Sequence, residues 1–81
     1  MIITRQKLPD LLYASLVALE GEATIIEVCK YFWEHYEKML RNSGDLFYTW
    51  QYDIRWAATE LRKNGTMLSA DDSPKGLWKL S

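Results

Sequence analysis

Residues 48–65, the stretch YTWQYDIRWAATELRKNG, combine hydrogen-bonding side chains with large aromatic rings. Arg55 can donate two hydrogen bonds to the edge of a guanine, and Gln51 can pair in a bidentate way with adenine. Tyr52 and Thr59 add hydroxyl groups that can contact a base or a sugar. If the stretch is a helix with one free face, these four side chains suit the major groove of DNA.

Five basic residues could hold the phosphates of the same duplex. Arg62 and Lys63 lie near the end of the stretch, Arg41 precedes it, and Lys75 and Lys79 follow it. Contacts of this kind position a protein on DNA without reading its sequence. For the last two lysines, ordinary solvated surface charge is an equally good interpretation. The whole chain has a formal charge of −1, so no overall charge attracts it to a nucleic acid or to an anionic membrane.

Two other interpretations of residues 48–65 remain open. The stretch could be a core helix whose polar face is only solvated, or a helix that binds a protein. Trp56 falls between its two faces, and Tyr31 and Trp33 lie beside the apolar stripe of the preceding helical segment. Such rings can mark a protein interface, although they also pack beneath loops and termini. An apolar surface around these rings would favour a protein partner or a homodimer, and a continuous positive surface around Arg55 would favour DNA.

The residues that catalysis or metal binding would need are scarce. Cys29, the only cysteine, lies on an apolar stripe, which predicts a buried structural thiol. His35 is the only histidine, and no second histidine or cysteine cluster completes a metal site. No Ser-His-Asp arrangement and no glycine-rich phosphate loop is visible, and the paired carboxylates fall in predicted turns. We therefore predict no catalytic residues, no metal, no cofactor and no enzymatic activity.

Size and composition indicate a single small globular domain over residues 1–81. The chain is 48% apolar and holds four tryptophans and five tyrosines, rings that let a small core bury a large area. A single cysteine excludes an internal disulfide and fits a reducing, cytoplasmic setting. No signal-peptide core and no apolar run of about eighteen residues occurs, so we expect no membrane partner.

Hydrophobic spacing and turn residues predict three helices. Leucines recur at helical spacing over residues 8–19, and Gly21 follows as a stop signal. Thr24 and Glu27 have the spacing of a capping box, which predicts that a second helix begins there and runs to about residue 41. A third helix is expected over about residues 50–64, capped by Thr49, after the long link NSGDLFY. Its core side would consist of Trp50, Ile54, Ala57, Ala58 and Leu61.

After Gly65 the pattern changes to that of strands. The segments TMLS and GLWKL flank ADDSPK, which contains turn residues, and together they predict a hairpin of about four residues a side. Glu22 and Ala23 could form a very short strand before the second helix. Three helices followed by a two-stranded hairpin is the element order of a winged helix-turn-helix.

Within that order, IRWAATELRKNG followed by SPKGLWKL resembles the winged-helix domains attached to modification-dependent and Mrr-type restriction endonucleases. It is also similar to the HARE-HTH module of chromatin and restriction proteins. The similarity lies in a helix that ends in a leucine, a basic pair and a glycine, and in a wing that closes with a glycine, an apolar residue, an aromatic residue and another apolar residue. The matching residues are Leu61, Arg62, Lys63, Gly65, Gly76, Leu77, Trp78, Lys79 and Leu80.

The resemblance implies a mainly α winged helix-turn-helix fold, three helices plus a C-terminal two-stranded hairpin. It implies double-stranded DNA, which could be modified, as the partner, in restriction–modification or transcription regulation. The third helix would enter the major groove and the wing would lie on the backbone. The alternative is a protein-interaction or dimerisation module of the same fold that does not bind DNA. The sequence departs from the family in its long link before the third helix and in Asp71 and Asp72, which oppose a phosphate near the wing tip.

Overall fold

The computed structural model describes residues 2–81 and confirms the fold class, a mainly α chain with a small antiparallel sheet in a winged-helix layout. A short 3-10 turn at Arg5–Lys7 precedes the first helix, and a second one at Ala70–Asp72 lies in the wing. The helices and strands are α1 (Leu8–Ala18), β1 (Glu22–Thr24), α2 (Ile25–Arg41), α3 (Leu46–Lys63) and β2 (Leu77–Lys79).

The first helix forms where leucine spacing predicted it. Pro9 occupies the first turn of α1, where its missing N–H has no helical partner to lose. One face is fully buried at Leu8, Leu12 and Leu16. Gly21, with a φ of 91°, then turns the chain into β1, a backbone conformation that side chains other than glycine rarely adopt.

The second helix begins with the predicted capping box. The Thr24 hydroxyl accepts the Glu27 backbone N–H at 3.1 Å, and the Glu27 carboxylate accepts the Thr24 backbone N–H at 2.9 Å. Two of the N–H groups that a helix start leaves without partners are therefore satisfied. The backbone and side-chain hydrogen bonds with Thr24 lower the pKa of Glu27.

We expect replacement of Thr24 with alanine to lower the free energy of unfolding by about 1 kcal/mol. The variant loses the hydroxyl that accepts the Glu27 N–H, while the backbone pairing of β1 needs no side chain at this position. Urea denaturation followed by circular dichroism measures the change. A loss below about 0.3 kcal/mol would contradict a stabilising role for the cap, since a working cap of this type contributes more.

Replacement of Glu27 with glutamine serves as the control for pH. A carboxylate whose pKa is lowered by folding stabilises the fold above its unfolded pKa, and that stabilisation is lost as the pH falls through the folded-state pKa. The glutamine amide still accepts the Thr24 N–H but does not titrate in this range. As the pH falls from the unfolded-state pKa of Glu27 through its folded-state pKa, the wild-type protein should therefore lose more stability than E27Q.

The third helix begins at Leu46, four residues before the predicted start, so the prediction that Thr49 caps it is wrong. Thr49 lies inside α3, where its hydroxyl donates to the Asp53 carboxylate at 2.8 Å. Leu46 is 9% exposed and Phe47 packs against Trp33, so these apolar residues extend the buried face of the helix. The link is therefore residues 42–45, a short turn with a glycine, of the kind helix-turn-helix units use.

The strand pairing also differs from the predicted hairpin. β2 pairs with β1, with Glu22 opposite Lys79, Ala23 opposite Trp78 and Thr24 opposite Leu77. The segment TMLS contributes an isolated bridge between Met67 and Leu80 and two backbone hydrogen bonds, from the Leu68 N–H to the Lys79 carbonyl and from the Ser81 N–H to the Thr66 carbonyl. The short strand suggested at residues 22–23 is thus the main partner of the wing.

Two local interactions explain why the predicted first strand stays short. The Arg62 side chain donates to the Leu68 carbonyl at 3.1 Å. This carbonyl is therefore already occupied and does not serve as an acceptor for a neighbouring strand. Ser69 then caps the 3-10 turn by accepting the Asp72 N–H. The chain turns at this point, because a capped 3-10 turn cannot continue a strand ladder.

The core lies between the three helices and is closed at one end by the sheet. Phe32 of α2 is fully buried and stacks on Trp50 of α3, with the ring centroids 5.5 Å apart. Ala23 and Trp78, opposite each other in the sheet, are 4% exposed and cover the open end. This packing fixes α3 with one face inward and leaves the other free.

Candidate functional site

The outward side of α3 carries several exposed side chains, and we call five of them the open face: Gln51, Tyr52, Arg55, Thr59 and Lys63. Tyr48 is 83% exposed one turn before Tyr52. The opposite side of the helix is buried at the positions that helical spacing predicted. Tyr52 is 76% exposed, and the Thr59 hydroxyl bonds back to the Arg55 carbonyl at 3.2 Å. All four predicted base-reading side chains therefore lie on one accessible surface.

Both carboxylates of α3, those of Asp53 and Glu60, lie within ion-pair distance of a basic side chain. The Asp53 side chain is 13% exposed, lies 3.5 Å from the Arg5 guanidinium and accepts the hydroxyl of Thr49. Glu60 is half-buried and lies 3.9 Å from the Lys63 amine. Among residues 2–81, Arg55 forms no ion pair. Its positive charge is thus left available to a partner.

Two of the predicted phosphate contacts are already bound to the protein itself. Arg41 donates to the Glu37 carboxylate at 2.7 Å, and its guanidinium lies 5.5 Å from the centre of the Trp33 ring. Arg62 is half-buried and uses its Nε–H for the Leu68 carbonyl. Arg41 and Arg62 could therefore bind a phosphate only through the guanidinium N–H groups that these contacts leave free.

The three lysines among the predicted phosphate contacts are exposed. Lys63 has 71% of its side chain exposed, and Lys75 lies in the turn before β2. Lys79 is exposed on β2, directly across the sheet from Glu22, so an opposite charge is close by. The Asp72 carboxylate at the wing tip accepts the hydroxyl of its capping serine, which partly satisfies its negative charge.

The three rings predicted as a possible protein interface each contact a different neighbour. Tyr31 stacks on His35, with the ring centroids 3.8 Å apart. Trp33 packs between α2 and α3, where it stacks on Trp50. Trp56 is covered by a guanidinium of the N-terminal segment, 3.8 Å from its ring centre. In the described part of the chain, no aromatic pair connects the three rings.

Sequence reasoning missed the N-terminal segment as a structural element. Ile3 is 4% exposed, and its N–H donates to the Ser43 hydroxyl at 2.8 Å. This anchor brings Arg5 over Trp56 and beside Asp53. A pair of isoleucines, Ile2 and Ile3, shortly before an arginine is the only signal in the sequence, and no periodicity supports it.

A groove of about 640 Å³ lies between α2 and α3, and we call it the α2–α3 groove. Helix α2 lines it with Ile25, Ile26, Cys29, Lys30 and Trp33. Helix α3 lines it with Phe47, Trp50, Gln51 and Arg55. Two residues of the open face therefore also border an apolar depression. Helical spacing on α2 brings Ile26, Lys30 and Trp33 together, a signal that sequence reasoning did not use.

The groove is apolar with a positive edge. Lys30 and Arg55 are exposed, and none of its lining residues carries a carboxylate. Cys29 is half-buried here, not buried as predicted. Burial raises the pKa of the Cys29 thiol, while the charge of Arg55 acts in the opposite direction. The thiol is therefore protonated at neutral pH and is a poor nucleophile.

A smaller depression of about 300 Å³, the wing pocket, adjoins the first. It is bordered by the end of α3 and the turn before β2, with Arg62, Lys75 and Trp78 among its lining residues. Ile25 lines both depressions, so they are neighbours. The two together are lined by four basic side chains and no carboxylate. This face is consequently more positive than the net charge of the chain suggests.

Comparison with family models, with curated proteins and with solved structures finds no match to this chain. The resemblance to winged-helix domains of restriction and chromatin proteins therefore depends on the quoted motifs and stays a prediction. None of the described helices has both the length and the apolar character that crossing a membrane requires. What remains for a functional assignment is the geometry of the open face, the groove and the wing pocket.

Proposed function

We propose that this chain binds double-stranded DNA as a winged-helix domain, with the open face of α3 in the major groove. The observation that carries the proposal is Arg55, which is exposed and forms no ion pair among the described residues. Gln51, Tyr52 and Thr59 lie beside it on the same face. Arginine and glutamine match guanine and adenine edges through paired hydrogen bonds, so this set can read a sequence.

The short turn at residues 42–45 supports the proposal. It joins α2 to α3 through a glycine-containing connection, as in helix-turn-helix units, whose second helix enters the major groove. The wing follows α3, so its exposed Lys75 could contact the backbone beside the groove. A DNA partner and the single cysteine both fit a cytoplasmic protein.

Phosphate contacts would come first from Lys75, which is exposed and forms no ion pair among the described residues, and from Lys63, whose distance to the Glu60 carboxylate is a long 3.9 Å. Lys30, which sequence reasoning did not select, is exposed next to Arg55 and joins this group. Arg62 could add its remaining donors. If four to six phosphates are neutralised, log affinity should fall with log salt at a slope of about −4 to −5.

We expect replacement of Arg55 with alanine to weaken binding to the preferred duplex by about 1–3 kcal/mol. The variant loses a bidentate base contact, so the loss should be concentrated on one sequence and small on unrelated DNA. Selection from random duplex pools, methylated and unmethylated, would supply the preferred site, and fluorescence anisotropy would measure the affinities. Replacement of Lys38, an exposed lysine outside both depressions, is the matched control.

Three results would contradict DNA binding. One is a salt slope near zero, since phosphate contacts must release counterions. Another is a selection that enriches no sequence while R55A and K38A behave like the wild type. The third is a set of amide shifts on titration with duplex that leaves α3 unchanged.

A further inference from the structure

The α2–α3 groove has an apolar floor that a DNA duplex would not fill. Ile26 is 68% exposed, and Cys29 and Trp33 are half-buried beside it. The major groove of DNA presents mainly polar edges, with the thymine methyl as its one apolar group. Isolated exposed apolar residues need no explanation, but a concave set between two helices indicates an interaction site.

The charged side chains that line this groove are both basic. Lys30 and Arg55 border one end, and Arg41 lies over Trp33 and Phe47. Arg41 is neutralised by its ion pair with a carboxylate of α2, but the first two form no ion pair within residues 2–81. Glu27, one turn before Lys30 on α2, is held in the capping box, whose hydrogen bonds lower the pKa of its carboxyl, and the charge of Lys30 also acts to lower it. A partner with carboxylates would therefore meet two exposed basic side chains, Lys30 and Arg55, that no ion pair within residues 2–81 holds.

We propose that the α2–α3 groove binds a short acidic amphipathic segment of another protein. Large apolar side chains of that segment would pack on Ile26, Cys29 and Trp33, and its carboxylates would contact Lys30 and Arg55. Amphipathic helices bind apolar grooves in this way, with anchor residues spaced along one face. A volume of about 640 Å³ accommodates a few side chains but not a folded domain.

One molecule of the protein could not bind the acidic segment and DNA at the same time. Arg55 lines the groove and also lies on the open face, so one guanidinium cannot bind both a carboxylate of the segment and a guanine. The proposed binding of a peptide segment does not depend on the proposed DNA function. Most of the residues that would contact the segment, which are Ile26, Cys29, Lys30 and Trp33, lie on α2.

The test begins with a displayed library of peptides of about 16 residues, roughly four helical turns. Every member is amphipathic, and acidic and basic residues are equally frequent on the flanks of its apolar face. We expect selection on the protein to enrich acidic peptides with leucine, phenylalanine or tryptophan anchors. The enriched peptides should slow alkylation of Cys29, the only thiol, by iodoacetamide.

Two exposed positions supply variants that do not disturb the core. I26E removes an apolar contact and adds a negative charge, and K30E reverses the charge at the edge. Each should weaken binding of the enriched acidic peptides by about tenfold or more, which is at least 1.4 kcal/mol. V17E is the matched control, because Val17 is also an exposed aliphatic residue but lies on α1.

Several outcomes would overturn the proposal: no enriched peptide, enriched peptides without acidic bias, or full binding by I26E and K30E. Protection of Cys29 by dodecanoate or by self-association, but not by enriched peptides, would assign the groove to a lipid chain or a second copy. I26A separates this proposal from DNA binding, because it removes the apolar contact without adding a negative charge beside Lys30. It should weaken binding of the peptides and keep the duplex, since Ile26 is not on the open face.

Discussion

Replacement of Phe32 with alanine is expected to lower the free energy of unfolding by about 3–5 kcal/mol. Phe32 is fully buried, and its ring contacts Trp50 of α3 and Tyr36 of its own helix, with centroid distances of 5.5 Å and 4.7 Å. Removing the ring loses its transfer free energy and leaves a cavity that stacked neighbours fill poorly.

The size of this loss matters because the domain is small. A chain of 81 residues is expected to have a total stability of about 4–12 kcal/mol. F32A should therefore be largely unfolded if the wild type lies near the lower end of that range. Thermal and urea denaturation of the variant beside the wild type measure the difference.

Replacement of Glu34 with alanine is the matched control for F32A. Glu34 is on the same helix, is exposed, and changes to a residue with high helix propensity. E34A should stay within about 0.5 kcal/mol of the wild type. A loss below about 1.5 kcal/mol in F32A would mean that α2 and α3 are not packed through this ring.

Replacement of Trp78 with alanine is the second change with a large expected effect, about 3–5 kcal/mol. Trp78 is 4% exposed, lies opposite Ala23 in the sheet and lines the wing pocket beside Arg62. The sheet has only two short strands, which are marginal without packing against helices. The indole is therefore a large buried contact between the wing and the core.

W78A should open the wing more than it loosens the helices. Backbone N–H groups of Ile25 and Leu80 donate to Gly76 and Gly21, so their hydrogen exchange reports on the sheet. We expect these amides to lose protection before the interior of α3 does. K79A changes the neighbouring exposed residue and is the control. Equal loss of protection in all elements of W78A would show that wing and helices unfold as one unit.

The sequence predicts the first two helices well because each carries a complete local signal. Leucine spacing defines the buried face of α1, and the residues at 24 and 27 specify a capping box by their own hydrogen bonds. Neither signal depends on distant parts of the chain. The predicted start of α3 is four residues too late. From the sequence, Leu46 and Phe47 could equally belong to a linker that packs on the core, and their helical state depends on contacts with α2.

The sheet and the groove were harder to predict for different reasons. A strand of three residues is too short for its alternation to choose a partner, so proximity in sequence wrongly favoured TMLS over Glu22–Thr24. The α2–α3 groove depends on how two helices are placed, which no single periodicity encodes. By contrast, exposure of Arg55 and Thr59 followed directly from the apolar spacing on the other side of α3.

The pairing of β1 with β2 also bears on the order of folding events. These strands come from distant parts of the chain, and two helices lie between them. Bringing such distant segments together costs loop-closure entropy, which helical turns avoid because their contacts are local. Once α2 and α3 have formed, the distance that the chain between the strands must span is shorter, and the strand contact can then offset the entropy cost. We therefore expect the sheet to close late in folding.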